Sequence, residues 1–480
     1  MSRVRLAPDL EISQIITGLW QIADIERNEG VLNPDDVAPQ MGAYAEAGLT
    51  TFDMADHYGS SEIIAGHFAK SQAPGSLQLL TKWVPAAGPI TRDVVRKAVQ
   101  TSLERLQTES IDLLQFHAWK YADASWLDGL YYLTELRREG LIRHLGVTNF
   151  DAIHLKMALD SGIHIVSNQI CHSLLDRRAE SNLAEVCRQH PVKLLAFGTL
   201  AGGFLTDKWL DKDEPAQDQL STWSEMKYKR FIDAAGGWDV YQNLLQVTKS
   251  IATKYGASIA NIASRYALQN PAVAAIIVGA RLGKSEHIKE NKRILKLNLD
   301  ADDLSKIAEA QDHLTDIPGD CGDEYRRAPF LTASGDLSHH LTEMPLPYEP
   351  LDVRENRTQV FSGTPWEPMA GYCRAVRDGN RIHVSGTTAT HRDKIIGGDD
   401  PASQTHFIID KIEGAIESLG GSLSDVVRTR IFIHEVDDWE PVAHAHGQRF
   451  NQINPANTLV QARLIGEGYR VEIEAEAVVR

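Results

Sequence analysis

Short apolar runs recur along the first two-thirds of the chain, and each stops just before a polar or glycine-containing turn. Runs at 12–19, 111–116, 142–147, 163–168, 192–197 and 275–278, with two more ending at Asp53 and Lys82, read as eight strands. Between them apolar residues return at helical spacing: Val94, Val95, Ala98, Val99, Leu103 and Leu106 share one face of a segment opened by Thr91. Asn33 before Pro34, Asp35 and Asp36 supplies an N-cap, a first-turn proline and acids that suit the positive end of the helix dipole. Further helices are expected near 152–160, 180–189, 241–254 and 258–269, with an irregular insertion at 211–239. Regular strand and helix alternation predicts a parallel sheet, and eight units predict a closed (β/α)₈ TIM barrel over an open doubly wound sheet.

The periodicity vanishes at about 331–350, where Ser, His, Gly, Pro345, Pro347 and Pro350 take over. Beyond it an Asp378-Gly379 turn precedes a strand at 381–385. A helix with Ile408, Ile412, Ala415, Ile416 and Leu419 on one face stops at Gly420-Gly421. Strands are expected at 426–436 and 470–479, with a helix at 439–452 between them. The chain thus divides into a barrel at 1–330, a linker at 331–352 and a small α+β domain at 353–480.

Composition narrows the class. The 480 residues are 43% hydrophobic and 24% charged, as in ordinary soluble globular proteins. The net charge of -16, spread along the chain, opposes binding to nucleic acid or anionic membranes. No run approaches the roughly 18 apolar residues of a membrane span. Cys171, Cys187, Cys321 and Cys373 form no C-x-x-C pair, and no leader precedes the first strand, so reduced thiols and a cytoplasmic location are expected. No metal site is expected: His339-His340 lies in the linker, and His444 and His446 fall on different faces of a helix.

The strand ends carry the chemistry. Strand C-termini of a barrel open onto one face, so Asp53, Tyr58, Lys82 and His117 are expected around a single pocket. Reducing a carbonyl with a nicotinamide needs a hydride and a proton donor. Free tyrosine titrates near 10, and a neighbouring ammonium lowers that value by favouring the phenolate. Tyr58 with Lys82 supplies this pair, Asp53 holds the lysine, and His117 can polarise the carbonyl oxygen. Trp20, Trp83, Trp119, Trp209 and Trp223 are candidate walls of the pocket.

The run from Phe52 through Gly59, with Thr81-Lys82 and Leu113-Leu114-Gln115-Phe116-His117, resembles the catalytic tetrad of the aldo-keto reductases. The likeness extends over about residues 10 to 325. It implies Tyr58 as general acid, Lys82 and Asp53 as its tuning pair and His117 as the orienting residue. It also implies a dinucleotide site built from Gly18, Trp20, Thr148, Asn149, Gln169, Phe197, Gly198, Leu200, Gly202, Gly279, Arg281, His287, Glu290 and Asn291. In that site Thr148, Asn149 and Gln169 would hold the nicotinamide carboxamide and Phe197 would stack on its ring. Phe197 and Gly198-Thr199 depart from the family's usual aromatic residue and serine-proline pair. His287 replaces the usual glutamine or arginine, which leaves Arg281 for a 2′-phosphate. The resemblance thus implies NADP, with NAD possible, and a small carbonyl or alcohol substrate.

The second domain resembles the RidA/YjgF family through Ala370-Gly371-Tyr372, Val384-Ser385-Gly386-Thr387, Asn454-Pro455-Ala456 and Val471 through Ala475. That likeness implies a chorismate-mutase-like fold, a homotrimer built through this domain, and a cleft with Tyr372, Arg374, Asn457 and Glu472. Asn457 stands where deaminating members carry an arginine, and Arg374 is the candidate replacement. Two other functions stay open: a bifunctional reductase and imine or enamine hydrolase, and a nucleotide-sensing regulatory subunit without turnover.

Overall fold

The computed structural model describes residues 2–86, 88–284, 287–326 and 344–480. Eight parallel strands close into a barrel: β3 (Ile15–Gly18), β4 (Thr51–Asp53), β5 (Gln78–Trp83), β6 (Ile111–His117), β7 (Ile142–Thr148), β8 (Ser167–Cys171), β9 (Lys193–Phe197) and β10 (Val273–Gly279), with β10 pairing back onto β3. Each is buried along most of its length, as strands covered on both faces must be. The caps follow local chemistry. Asn33 Oδ1 accepts from Asp35 N at 3.1 Å, and Thr91 Oγ1 accepts from Val94 N at 3.3 Å at the head of helix Arg92–Leu106.

Two expectations are corrected. The run at 12–19 is not one strand: β1 (Arg3–Ala7) and β2 (Leu10–Ser13) form an antiparallel hairpin, and only Ile15–Gly18 joins the barrel. Leu6, Leu10 and Ile12 of the hairpin pack with Ile16, Leu80, Leu113, Leu195 and Ile277, plugging the barrel where water would otherwise enter. The sixth barrel strand is Ser167–Cys171, not 163–168, so Gln169 lies within a strand instead of beyond its end. Ile163 and Ile165 are buried but lie outside the strand, which is why their hydrophobicity resembles one.

The C-terminal domain is a seven-stranded sheet in the order β11 (Leu351–Arg354), β12 (Arg357–Val360), β13 (Ala375–Asp378), β14 (Arg381–Thr388), β19 (Val471–Val478), β17 (Val426–Ile433), β18 (Ala456–Gln461). β15 (Thr390–His391) and β16 (Lys394–Ile395) form a separate small hairpin. Helix Pro401–Ser418 covers one face of the sheet through Phe407, Ile408, Ile412 and Ile416 against Ile382, Ile431 and Ile473. β18 runs parallel to β17, so helix Trp439–Phe450 makes the crossover that a parallel pair needs. Leu351–Arg354 and Ala456–Gln461 were not expected as strands. Both lie at sheet edges and are largely exposed, so they carry no apolar alternation to read.

The two units are docked. Helix Pro401–Ser418 lies on helix Ala152–Asp160 of the barrel, where Lys156 Nζ bridges Asp160 and Asp400 at 2.6 and 2.7 Å. On helix Ser125–Arg138, Asp128 receives His391 at 2.8 Å and Arg392 at 2.9 Å. Gly414 leaves room for Ala122 O, which a Cβ there would meet at 2.4 Å. Within the expected linker, Tyr348 N donates to Ser418 Oγ at 3.0 Å. Its residues 331–343, with His339 and His340, lie outside the described residues. Among the described residues no helix is long and apolar enough to cross a membrane.

Candidate active site

The strand C-termini bring Asp53, Lys82 and His117 to one end of the barrel, and the turn after β4 brings Tyr58. Lys82 Nζ donates to Asp53 Oδ2 and to Met54 O, both at 2.7 Å, and lies 4.8 Å from the centroid of the Tyr58 ring. Lys82 and Asp53 are buried. Burial lowers the Lys82 ammonium from its usual range, and the Asp53 charge opposes that shift. Asp53 is fixed in turn: Oδ1 accepts from Gln169 Nε2 at 2.7 Å and from Gln115 Nε2 at 3.2 Å, while Gln169 also donates to Gln115 Oε1 at 3.0 Å.

The turn carrying Tyr58 is anchored from below. Glu26 accepts from Ser60 N at 2.8 Å, and Gly59 at φ 54° has no Cβ to collide with that carboxylate. Arg105 donates to Asp56 O at 2.9 Å. Trp20 meets Tyr58 edge-on at 4.8 Å and Trp223 at 5.8 Å, forming one wall.

His117 is fully buried, and neither ring nitrogen has a hydrogen-bond partner among the described residues. Burial, then the Arg326 charge, pushes its imidazole well below the usual range, with the nearby Thr148 main chain acting the other way. A neutral buried ring with unmet hydrogen-bonding groups is uncommon and suits a ligand oxygen. Trp119 packs edge-on against the His117 ring at 4.5 Å, and Tyr325 packs edge-on against the same ring at 5.8 Å, forming the second wall. Tyr325 Oη accepts from Lys227, itself buried. Trp83 and Trp209 are not walls: Trp83 is buried against Phe116, and half-buried Trp209 packs on Phe204 and Trp238.

The candidate dinucleotide residues lie along the same rim. Gly18 pairs with Gly279 across β3 and β10, and Trp20 opens the next helix. Thr148 Oγ1 and Asn149 N both donate to Gln169 O, at 3.1 and 2.8 Å. Asn149 adopts φ 60°, and its buried Oδ1 has no partner among the described residues, so it offers an acceptor to an amide N–H. Gln169 differs, since its amide nitrogen is committed to Asp53 and Gln115. Phe197 and Leu200 are half-buried at the end of β9. Gly198 and Gly202 have φ 73° and 64°; a Cβ on them would meet Tyr228 Oη at 2.2 Å and Ser224 O at 2.8 Å. These glycines admit helix Trp223–Ala234. Arg281, His287 and Glu290 are exposed after β10, and Asn291 is buried. The Asn149 acceptor suits an amide donor and the exposed Arg281 cation suits an anionic group, the two kinds of contact a nicotinamide dinucleotide needs.

In the second domain, Arg374 is buried and donates to Ser385 O, Gly386 O and Thr387 Oγ1 at 3.3, 2.8 and 2.6 Å, with Tyr372 beside it. Glu472 packs on Gly386, and burial raises its carboxyl above the usual range. Asn457 lies two strands away on β18, donating to Thr429 Oγ1 at 2.9 Å. One chain therefore does not bring Asn457 to Glu472.

Sequence reasoning missed Glu26, Gln115 as an Asp53 ligand, Lys227, Tyr325 and Arg326. Gln115 carried a signal, because it shares the inward phase of His117, two residues on, and a buried polar residue inside a barrel strand needs a partner.

Residues 14–312 match the family described as aldo/keto reductase family, and residues 353–479 match endoribonuclease L-PSP. Protein tas of Escherichia coli (strain K12) is 29% identical over 342 residues, covering 62% of this chain and 94% of that protein. The uncharacterized protein SCO2049 of Streptomyces coelicolor is 36% identical over 120 residues, 25% of this chain and 90% of that one. Among solved structures, the glycerol dehydrogenase from Gluconobacter oxydans superposes with a TM-score of 0.54, covering 73% of this chain and 98% of that one at 22% identity. That last likeness concerns the fold.

Proposed function

The chain belongs to the aldo/keto reductase family, with a RidA/YjgF-type domain fused behind the barrel, and on that premise we propose that it interconverts a small carbonyl compound and its alcohol. Family membership makes it an oxidoreductase. In the proposed reaction Tyr58 gives the proton to the developing alkoxide, and takes it back in reverse. Lys82 favours the phenolate and so strengthens the acid, while Asp53, gripped by Gln115 and Gln169, holds Lys82 in place. His117 donates an N–H to the carbonyl oxygen in a site walled by Trp20, Trp119 and Trp223.

Thr148, Asn149, Phe197, Arg281 and His287 would hold a nicotinamide dinucleotide, which supplies the hydride when bound. Arg281 favours NADP through its fit to a 2′-phosphate. All four cysteines are unpaired and buried, which supports the reducing conditions of a cytoplasm.

The observation that carries this reading is the buried Lys82 ammonium shared by Asp53 and Met54 O directly beside the Tyr58 ring. For the second domain we favour assembly over hydrolysis. Arg374 is committed to main-chain oxygens and Thr387, so it is a poor clamp for a carboxylate substrate. The sheet face bearing Arg428, Arg430, Glu474 and Glu476 carries both signs of charge, which suits packing against further copies as a trimer.

A panel of aldehydes, ketones and alcohols, followed through reduced-nicotinamide absorbance with both cofactors, tests the reading. Wild type should turn over at least one carbonyl class, and Tyr58→Phe should bind cofactor without turnover. Dinucleotide binding with no turnover of any carbonyl would favour the sensing role instead.

A further inference from the structure

His154, in the first turn of helix Ala152–Asp160, is buried between carboxylates of both domains. Its Nδ1 lies 2.7 Å from both oxygens of Asp151, and its Nε2 lies 3.0 Å from Asp410 Oδ2 on helix Pro401–Ser418. Asp410 also accepts from Arg449 at 2.6 Å, and Arg449 reaches Glu413 at 2.6 Å. With an acceptor at each nitrogen the ring is held as an imidazolium. Burial opposes that charge, but Asp151 and Asp410 outweigh it and raise the ring to about 9.

This cation reaches toward the barrel's strand ends by two routes. Its ring stacks on Tyr121 with centroids 3.4 Å apart and planes within 5°. The Arg326 guanidinium lies 4.3 Å from the same Tyr121 centroid, and its Nε donates to Ala118 O at 2.8 Å, next to His117. By the second route Asp151 caps the helix, accepting from His154 N at 2.8 Å, two residues after Asn149. One imidazolium therefore ties down both the segment after β6 and the segment after β7.

We propose that Asp410 is a positioning residue for the barrel's reaction: by docking, the C-terminal domain completes the two-carboxylate cradle of His154 and so fixes residues 117–121 and 148–151. The inference rests on the reductase reading for its kinetic part only. The fused domain then acts on the barrel within one chain, whatever its role in assembly. Among the described residues the other charged or titratable groups around this cradle are Tyr121, Arg326, Arg449, Glu413, His406 and Asp320; burial holds His406 down at about 4, so it stays neutral, while burial and then the Asp151 charge raise Asp320 to about 6.

The test compares full-length Asp410→Asn, Asp410→Glu and Arg392→Ala, the last cutting a domain contact to Asp128 that does not touch His154. Hydrogen exchange of 117–121 and 148–151 and the His154 titration by NMR are read without any substrate; kcat, KM and their pH profiles are read with one. Asp410→Asn should speed exchange in both segments and lower the His154 titration. It should also reduce kcat by up to about 10²-fold, the order expected when reacting groups lose registration. Asp410→Glu should restore most of the protection, and Arg392→Ala should leave both segments unchanged. Unchanged exchange in Asp410→Asn, or the same changes in Arg392→Ala, would overturn the proposal. If Asp410→Asn does not fold, His154→Gln is expected to give the same exchange changes, and unchanged protection there counts equally against the cradle. Absence of carbonyl turnover would sink the reductase reading and leave the exchange result standing.

Discussion

Lys82 Nζ sits 2.7 Å from Asp53 Oδ2, and each side chain is only 4% exposed. A buried ion pair is costly to break from one side, because the remaining charge is stranded. Lys82→Met should therefore lose about 3–5 kcal/mol in urea unfolding and lower turnover by roughly 10²- to 10⁴-fold. The double variant Asp53→Leu/Lys82→Met should regain much of the stability and none of the activity.

Gln169 separates two roles. Its amide nitrogen serves Asp53 and Gln115 in the structure, whereas resemblance assigned it to the nicotinamide carboxamide. Gln169→Leu leaves Asp53 Oδ1 with Gln115 alone, so kcat should fall by up to about 10²-fold through lost positioning while cofactor affinity, measured by fluorescence titration, holds. Asn149→Ala should do the reverse and weaken cofactor binding.

Gly198 is required by packing. At φ 73°, with Tyr228 Oη where a Cβ would stand, Gly198→Ala should cost about 1–3 kcal/mol in thermal unfolding. Adding Tyr228→Phe should recover part of that loss. Full additivity of the two changes would show that the contact is not the cause.

The site was legible where chemistry is local. Asn33 and Thr91 announced their helices through caps, and Asp53, Lys82 and His117 stood out as polar ends of apolar runs. Gln169 was misplaced because Ile163 and Ile165 mimic a strand four residues before the real one. β11 and β18 were silent because exposed edge strands need no apolar phase. His154 and Asp410 are 256 residues apart, so only the docked fold could pair them.

The His154 cradle also predicts a pH trend. Its imidazole is raised from 6.5 to about 9 in the folded chain, so its contribution is fully present below about 6.5 and fades as pH rises through 9. Lys411, which burial lowers to about 7, trends the other way, so the total curve hides the effect. The difference in melting temperature between wild type and His154→Gln isolates it. That gap should shrink steadily between pH 6.5 and 9, and a gap that widened would refute the assignment.

In the proposed reaction the Lys82 charge makes Tyr58 acid enough to deliver a proton. Single-turnover hydride transfer to a carbonyl substrate, followed against pH in wild type and Lys82→Met, tests it most directly. As the phenol ionises it stops serving as an acid, so the rate should fall at high pH. In Lys82→Met that limb should move up by at least about one unit toward the value of free tyrosine. A limb at the same pH in both proteins would show that Lys82 does not set the acidity of Tyr58.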